Sequence, residues 1–155
     1  MKSSELLYDL GEYTATNQDL LNWSQANFAK DHSTYIGVDF EEPPNEDRYP
    51  VVMIFDTNKE YSNGMEVFTV EFALGLIKEE LVKPDGSINN LFSYTGFMLN
   101  QDFRELVELV ILKSARELHA KISVEGKNIP DMFYPNFASS ITAKIEIIKG
   151  YRKPY

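Results

Sequence analysis

The sequence predicts an α+β domain: a mostly antiparallel four- to five-stranded sheet with two main helices packed on one face. Three observations predict it. Phe68, Val70, Phe72, Leu74 and Leu76 recur at period two, as do Ile141, Ala143, Ile145 and Ile147, which marks two long strands buried on one side. Between them, Phe103, Leu106, Val107, Val110, Ser114 and Leu118 recur at helical spacing. Finally, Tyr49-Pro50-Val51-Val52-Met53-Ile54-Phe55-Asp56 is an apolar run opened by proline and closed by aspartate. It is too short to cross a membrane and rich in strand formers, as a strand buried on both faces should be.

Residues 4–13 predict a short helical turn with Leu6, Leu7 and Leu10 on one side, ended by Gly11. Thr16 or Asn17 then serves as an N-cap, with Asp19 in the first turn, where the helix dipole favours negative charge. The following helix is expected over Gln18–Ala29, with a narrow apolar face that places it outside the core. Ser33 to Phe40 alternates and is expected as a strand. Glu41-Glu42-Pro43-Pro44-Asn45-Glu46-Asp47 is acidic and proline-bearing, so it reads as a solvated connector; a docking site for a basic partner is the sharper reading.

In the central run, Pro50 starts the strand and Asp56 hands over to a loop. Asn63-Gly64 is a strong turn signal, which makes a hairpin from about Val51 to Glu79. No element is assigned to residues 83–100. Asn100 is expected to cap the main helix, which runs from Asp102 to Ala120. Ile122–Val124 is a short candidate strand before Gly126, and the last strand spans Ser139 to Lys149. One domain covers 1–155, with residues 1–15 and 150–155 as candidate mobile ends.

Composition narrows the function classes. The formal net charge is −9, which disfavours both general nucleic-acid binding and anionic membranes, because phosphate contact needs clustered Lys and Arg. There is no cysteine, so disulfides, thiolate metal sites and thiol nucleophiles are excluded. Asp9 interrupts the only N-terminal apolar stretch, so no secretory leader is expected, and no run has the length of a transmembrane helix.

Catalytic patterns are sparse. His32 and His119 stand apart from any metal-ligand spacing and are expected at the surface. Gly-x-Ser-x-Gly, Gly-x-Gly-x-x-Gly and the P-loop are absent. Glu125-Gly126-Lys127 has the order of an acid-x-Lys nuclease core but lacks a convincing upstream acid. Asp56 ends a buried strand, a favoured place for a catalytic carboxylate, but the ordinary reading there is a residue that starts a turn. Asp39, Glu41, Glu42, Glu46 and Asp47 lack an EF-hand register. The expectation is therefore no enzyme, no cofactor and no metal.

Ile36-Gly37-Val38-Asp39-x-Glu41-x-Pro43-Pro44, then Tyr49-Pro50-Val51-Val52-x-Ile54, the hairpin, the helix, and Phe133-Tyr134-Pro135-Asn136-Phe137 before the last strand form one ordered pattern. Over residues 16–149 it resembles the tail-terminator or tail-completion (head–tail joining) proteins of long-tailed bacteriophages and prophages. The resemblance implies a small α+β subunit without an active site. It implies a ring, typically a hexamer, that ends the tail tube and joins it to the head, and hence a place in the virion. Its partners would be copies of itself, the tail tube and the head connector, with no specific nucleic-acid or membrane binding.

Charge fits a ring that lets DNA pass, since an acidic lumen repels phosphate. Ring contacts are head-to-tail and need two unlike patches. Glu41, Glu42, Glu46 and Asp47 against the basic tail with Arg152 and Lys153 are one complementary pair. Lys59 and Tyr61, in the expected turn Lys59-Glu60-Tyr61, and the segment 83–100 are candidate surfaces for tube or connector. The alternative class is an acidic immunity or inhibitor protein that masks a basic toxin or nuclease.

Overall fold

A computed structural model describes residues 1–39, 41–79, 82–84, 88–129 and 134–148. The chain begins with two helices, α1 (Ser3–Thr16) and α2 (Gln18–Phe28), and a short strand, β1 (Ser33–Ile36). A 3-10 turn (Glu46–Arg48) precedes the hairpin of β2 (Val51–Ser62) and β3 (Met65–Ile77). A small ribbon, β4 (Val82–Pro84) with β5 (Phe92–Tyr94), leads into the long helix α3 (Thr95–Leu118). Strands β6 (Ala120–Ile129) and β7 (Asn136–Ile148) complete a five-stranded sheet of order β1-β2-β3-β7-β6.

The architecture is α+β and the sheet is mostly antiparallel. It is a mixed sheet, because β1 runs parallel to β2, with Ser33 opposite Val51 and Ile36 opposite Ile54. A parallel neighbour cannot be reached through a tight turn. Residues 37–50 make that return, and β1 stops at Ile36 rather than at Phe40 because Gly37 turns the chain at φ +93°.

The predicted alternation is realised. Phe68, Val70, Phe72, Leu74 and Leu76 of β3, and Ile141, Ala143, Ile145 and Ile147 of β7, are all buried. They form one cluster with Leu6, Leu7 and Leu10 of α1, Leu20 of α2, and Phe103, Val107, Val110, Ile111 and Leu118 of α3. The helices therefore cover one side of the sheet. Burying each of these aliphatic or aromatic side chains is worth roughly 1.5–3 kcal/mol before conformational entropy is subtracted.

Several boundaries differ from expectation. Gly11 does not end α1. It lies in the middle of the helix, where a Cβ would sit 3.0 Å from the Ile36 side chain, so the glycine lets α1 lie close on β1. Met1, Leu6, Leu7 and Leu10 make the N-terminal segment part of the core, and the Met1 ammonium pairs with buried Glu66 at 2.7 Å. Asn17 does cap α2, accepting the Leu20 N–H at 3.0 Å. Trp23 of α2 stacks on Phe103 of α3, 4.8 Å between centroids, and ties this outer helix to the core.

Strand β2 continues past Asp56 to Ser62. A bulge between Asp56 and Asn58 lets the polar half stay paired with β3, so Asp56 opens no loop. Val51, Val52 and Ile54 are fully buried, while Met53 and Phe55 are partly exposed on the side away from the helices, so the run is not buried on both faces throughout. Lys59, Glu60 and Tyr61 are strand residues. The turn itself is Asn63-Gly64, both at positive φ, as a two-residue type I′ hairpin requires.

Helix α3 starts at Thr95, well before Asp102. Asn100 is no cap: it is buried within the helix and its side-chain amide donates to the Ala138 carbonyl at 3.0 Å. The short strand expected at Ile122–Val124 extends to ten residues and runs through Gly126.

Candidate functional site

The predicted contact residues separate into distinct places. Glu41, Glu42, Glu46 and Asp47 are all exposed on the connector between β1 and β2. Local bonds shape it. The Asp39 carboxylate accepts the Glu41 N–H at 3.0 Å, its carbonyl accepts the Glu42 N–H at 3.2 Å, and Lys30 Nζ donates to the Asp47 carbonyl at 2.9 Å. Glu41, Glu42 and Glu46 line an open hollow with Tyr35, Pro43, Pro44 and Arg48. Tyr49, at the base of this loop, lies across Gly75 of β3, where a Cβ would be 3.0 Å from the ring. Burial raises its phenol above the ordinary value, helped by Tyr35 and Glu46.

Lys59 and Tyr61 sit at the far end of β2, about 30 Å along the strand from Val51 at roughly 3.3 Å per residue. Tyr61 is exposed. Lys59 is drawn inward: Nζ donates to the Met1 carbonyl at 3.0 Å, lies 3.9 Å from Glu66, and sits over the Phe68 ring at 5.0 Å. The acidic loop and Lys59/Tyr61 therefore belong to opposite ends of the molecule. Arg152 and Lys153, the expected partners of the acidic loop, lie outside the described residues, as does Phe133.

The two histidines differ. His119 is exposed and closes α3 in a left-handed conformation at φ 50°. His32 is buried, contrary to expectation, because the chain folds it between α1 and β1. Its Nε2–H donates to the Thr14 carbonyl at 2.8 Å. Burial lowers its pKa, only partly offset by that hydrogen bond and by Asp31. Glu125-Gly126-Lys127 lies inside β6. Gly126 faces α3, where a Cβ would meet Glu108 Oε1 at 1.9 Å and Arg104 Nη1 at 2.5 Å. The glycine makes room for the Arg104–Glu108 ion pair (2.6 Å).

The sheet side away from the helices carries a polar patch. Thr142 Oγ1 donates to the Glu71 carboxylate (2.9 and 3.0 Å), and Glu60, Thr69, Ser123, Glu125 and Lys144 surround a hollow of about 470 Å³. Among the described residues, no group of three or more acidic or histidine side chains is placed to hold a metal ion. None of the described helices is long and apolar enough to cross a membrane.

The most distinctive surface is apolar. Ile88, Leu91, Phe92, Tyr94, Phe97 and Met98 are exposed together around β5 and the start of α3, Phe92 at 57% and Tyr94 at 60%. Residues 86–101 contain no Asp, Glu, Lys or Arg in a chain where 25% of residues are charged. Side chains of this size expose on the order of 600 Å² in all, near what one partner contributes to a stable interface. These residues lie within the segment 83–100 expected as a candidate surface, and the uncharged run is the sequence signal that singles them out. No protein-family model matches the chain, and no curated protein matches it in sequence.

Proposed function

We propose that this protein is a structural subunit of a long-tailed bacteriophage or prophage: a tail-terminator or tail-completion protein. It would form a ring, typically a hexamer, at the end of the tail tube and join the tube to the head. One observation carries the reading: the exposed apolar residues Ile88, Leu91, Phe92, Tyr94, Phe97 and Met98, concentrated in an uncharged stretch of an acidic chain. A patch of that extent on a small domain marks a protein contact.

The role is assembly, and the residues divide it. The apolar patch docks on the tube rim or the head connector. The acidic loop with Glu41, Glu42, Glu46 and Asp47 meets the basic tail with Arg152 and Lys153 of the next copy, head-to-tail. The surplus of acidic side chains keeps passing DNA from sticking. The exposed acidic loop also favours a second reading, an immunity or inhibitor protein that masks a basic toxin or nuclease.

Negative-stain imaging of the protein mixed with isolated tail tubes separates the two. The terminator reading expects rings capping tube ends and tubes that no longer elongate, with Phe92→Asp and Tyr94→Asp abolishing both. Bare tube ends at saturating protein would overturn it. If the acidic-loop carboxylates alone proved necessary for binding a basic protein, the inhibitor reading would replace it.

A further inference from the structure

We propose that α3 carries a self-complementary outer stripe through which two copies of this chain pair as an antiparallel helix–helix dimer. The inference does not depend on the ring reading. The inward side of α3 is spent on the core. One flank is occupied by the Arg104–Glu108 pair over β6, the other by Lys113, 4.0 Å from Asp19 of α2. The side directly opposite the core presents Asp102, Glu105, Leu109, Leu112 and Arg116, all exposed. Leu109 is 50% and Leu112 43% exposed, so two leucines lie side by side in solvent on this face of the helix.

The spacing is that of a pairing seam. Asp102, Glu105, Leu109, Leu112 and Arg116 alternate three- and four-residue steps, the a/d pattern that keeps one line of a helix against a partner. In antiparallel pairs, a positions meet d positions. A two-fold axis between Val110 and Ile111 sets Leu109 against Leu112 of the second copy, and Glu105 against Arg116 of the second copy, each contact occurring twice. A two-leucine layer is thus closed at both ends by an ion pair.

A parallel pair would oppose Glu105 to Glu105 and Arg116 to Arg116, which is repulsive. The orientation is therefore specified by charge as well as by apolar contact. The partner indicated is a second copy, because the pattern complements itself: each Glu105 finds an Arg116 and each Leu109 a Leu112 across the same two-fold axis, which local charge pairing must hold against the repulsion between copies at net charge −9. The seam is short, so the pairing falls in the weak class of interfaces, with dissociation on the order of tens to hundreds of micromolar.

Sedimentation or light scattering of the full chain across a concentration series tests it. The expected result is a shift from monomer to dimer mass as concentration rises. Leu112→Asp weakens association at least tenfold, as do Glu105→Arg and Arg116→Glu singly. The double variant Glu105→Arg/Arg116→Glu restores the dimer, because the exchanged charges again face each other. All three positions are exposed, and thermal unfolding of each variant checks that the fold is kept. A strict monomer up to millimolar concentration, a dimer indifferent to these substitutions, or a double variant that fails to recover would each overturn the proposal. A monomeric result leaves tube capping untouched, and bare tube ends leave the dimer untouched, so the two readings fail separately.

Discussion

The inner and outer sides of α3 share one backbone and one helix, yet they obey opposite rules. Phe103, Val107, Val110, Ile111 and Leu118 lie against β3, β7 and α1 and are out of water. Even polar Ser114 is accommodated there, because its hydroxyl donates to the Ile111 carbonyl of its own helix at 2.6 Å. Half a turn away, Leu109 and Leu112 have the same chemistry and remain in solvent. What separates an identical leucine on the two sides is only what stands across from it. The sheet repeats the lesson: β3 sends Phe68, Phe72 and Leu76 to the core and Thr69 and Glu71 to the other side.

The largest expected effect breaks the inner side. Phe103→Ala should cost about 3–5 kcal/mol, since it empties a fully buried site and removes the ring on which Trp23 stacks. Chemical denaturation measures it, and Leu109→Ala in the same series should move stability by less than about 0.5 kcal/mol. Equal losses at the two positions would erase the distinction between the sides.

Smaller effects sharpen it at two glycines where α3 meets the sheet. A Cβ at Gly96 would lie 2.1 Å from the packed Phe137 ring. Gly96→Ala should therefore destabilise by roughly 1–3 kcal/mol despite alanine's better helix propensity. At Gly126 the obstacle is the end of the Glu108 side chain, which can swing outward at the cost of its ion pair with Arg104. Gly126→Ala should then cost about 1 kcal/mol or less. Thermal unfolding of both variants checks the order.

The smallest effect is a pH dependence at His32. Burial lowers its folded pKa below the ordinary value of about 6.5, so the folded state prefers the neutral ring. Its contribution is complete above pH 6.5 and is lost as pH falls below that value, because the unfolded chain takes up the proton first. Unfolding midpoints should decline over this window in the wild type. In His32→Gln, which retains an N–H to donate to Thr14, the decline should be shallower.

Local periodicity was enough to place the buried faces of β3, β7 and α3, because period two and helical spacing each require only neighbours in sequence. Asn17 as a cap and Asn63-Gly64 as a turn were legible for the same reason, as was the exposure of Glu41, Glu42, Glu46 and Asp47, since charge runs stay in water. The remaining features depend on residues far apart in the chain. The start of α3 rests on Asn100 reaching Ala138 and on Gly96 meeting Phe137. The parallel placement of β1 rests on Ser33 opposite Val51, and the burial of His32 on the Thr14 carbonyl.

The apolar patch at 88–98 and the leucines of the outer stripe were hidden for a related reason. An apolar side chain reads as core until something shows that nothing covers it. The sequence alone thus determined which faces are apolar and which segments are charged. Only the tertiary structure decided which apolar faces are satisfied within one chain and which are left for a partner, because burial is a property of the packed neighbours and not of the residue.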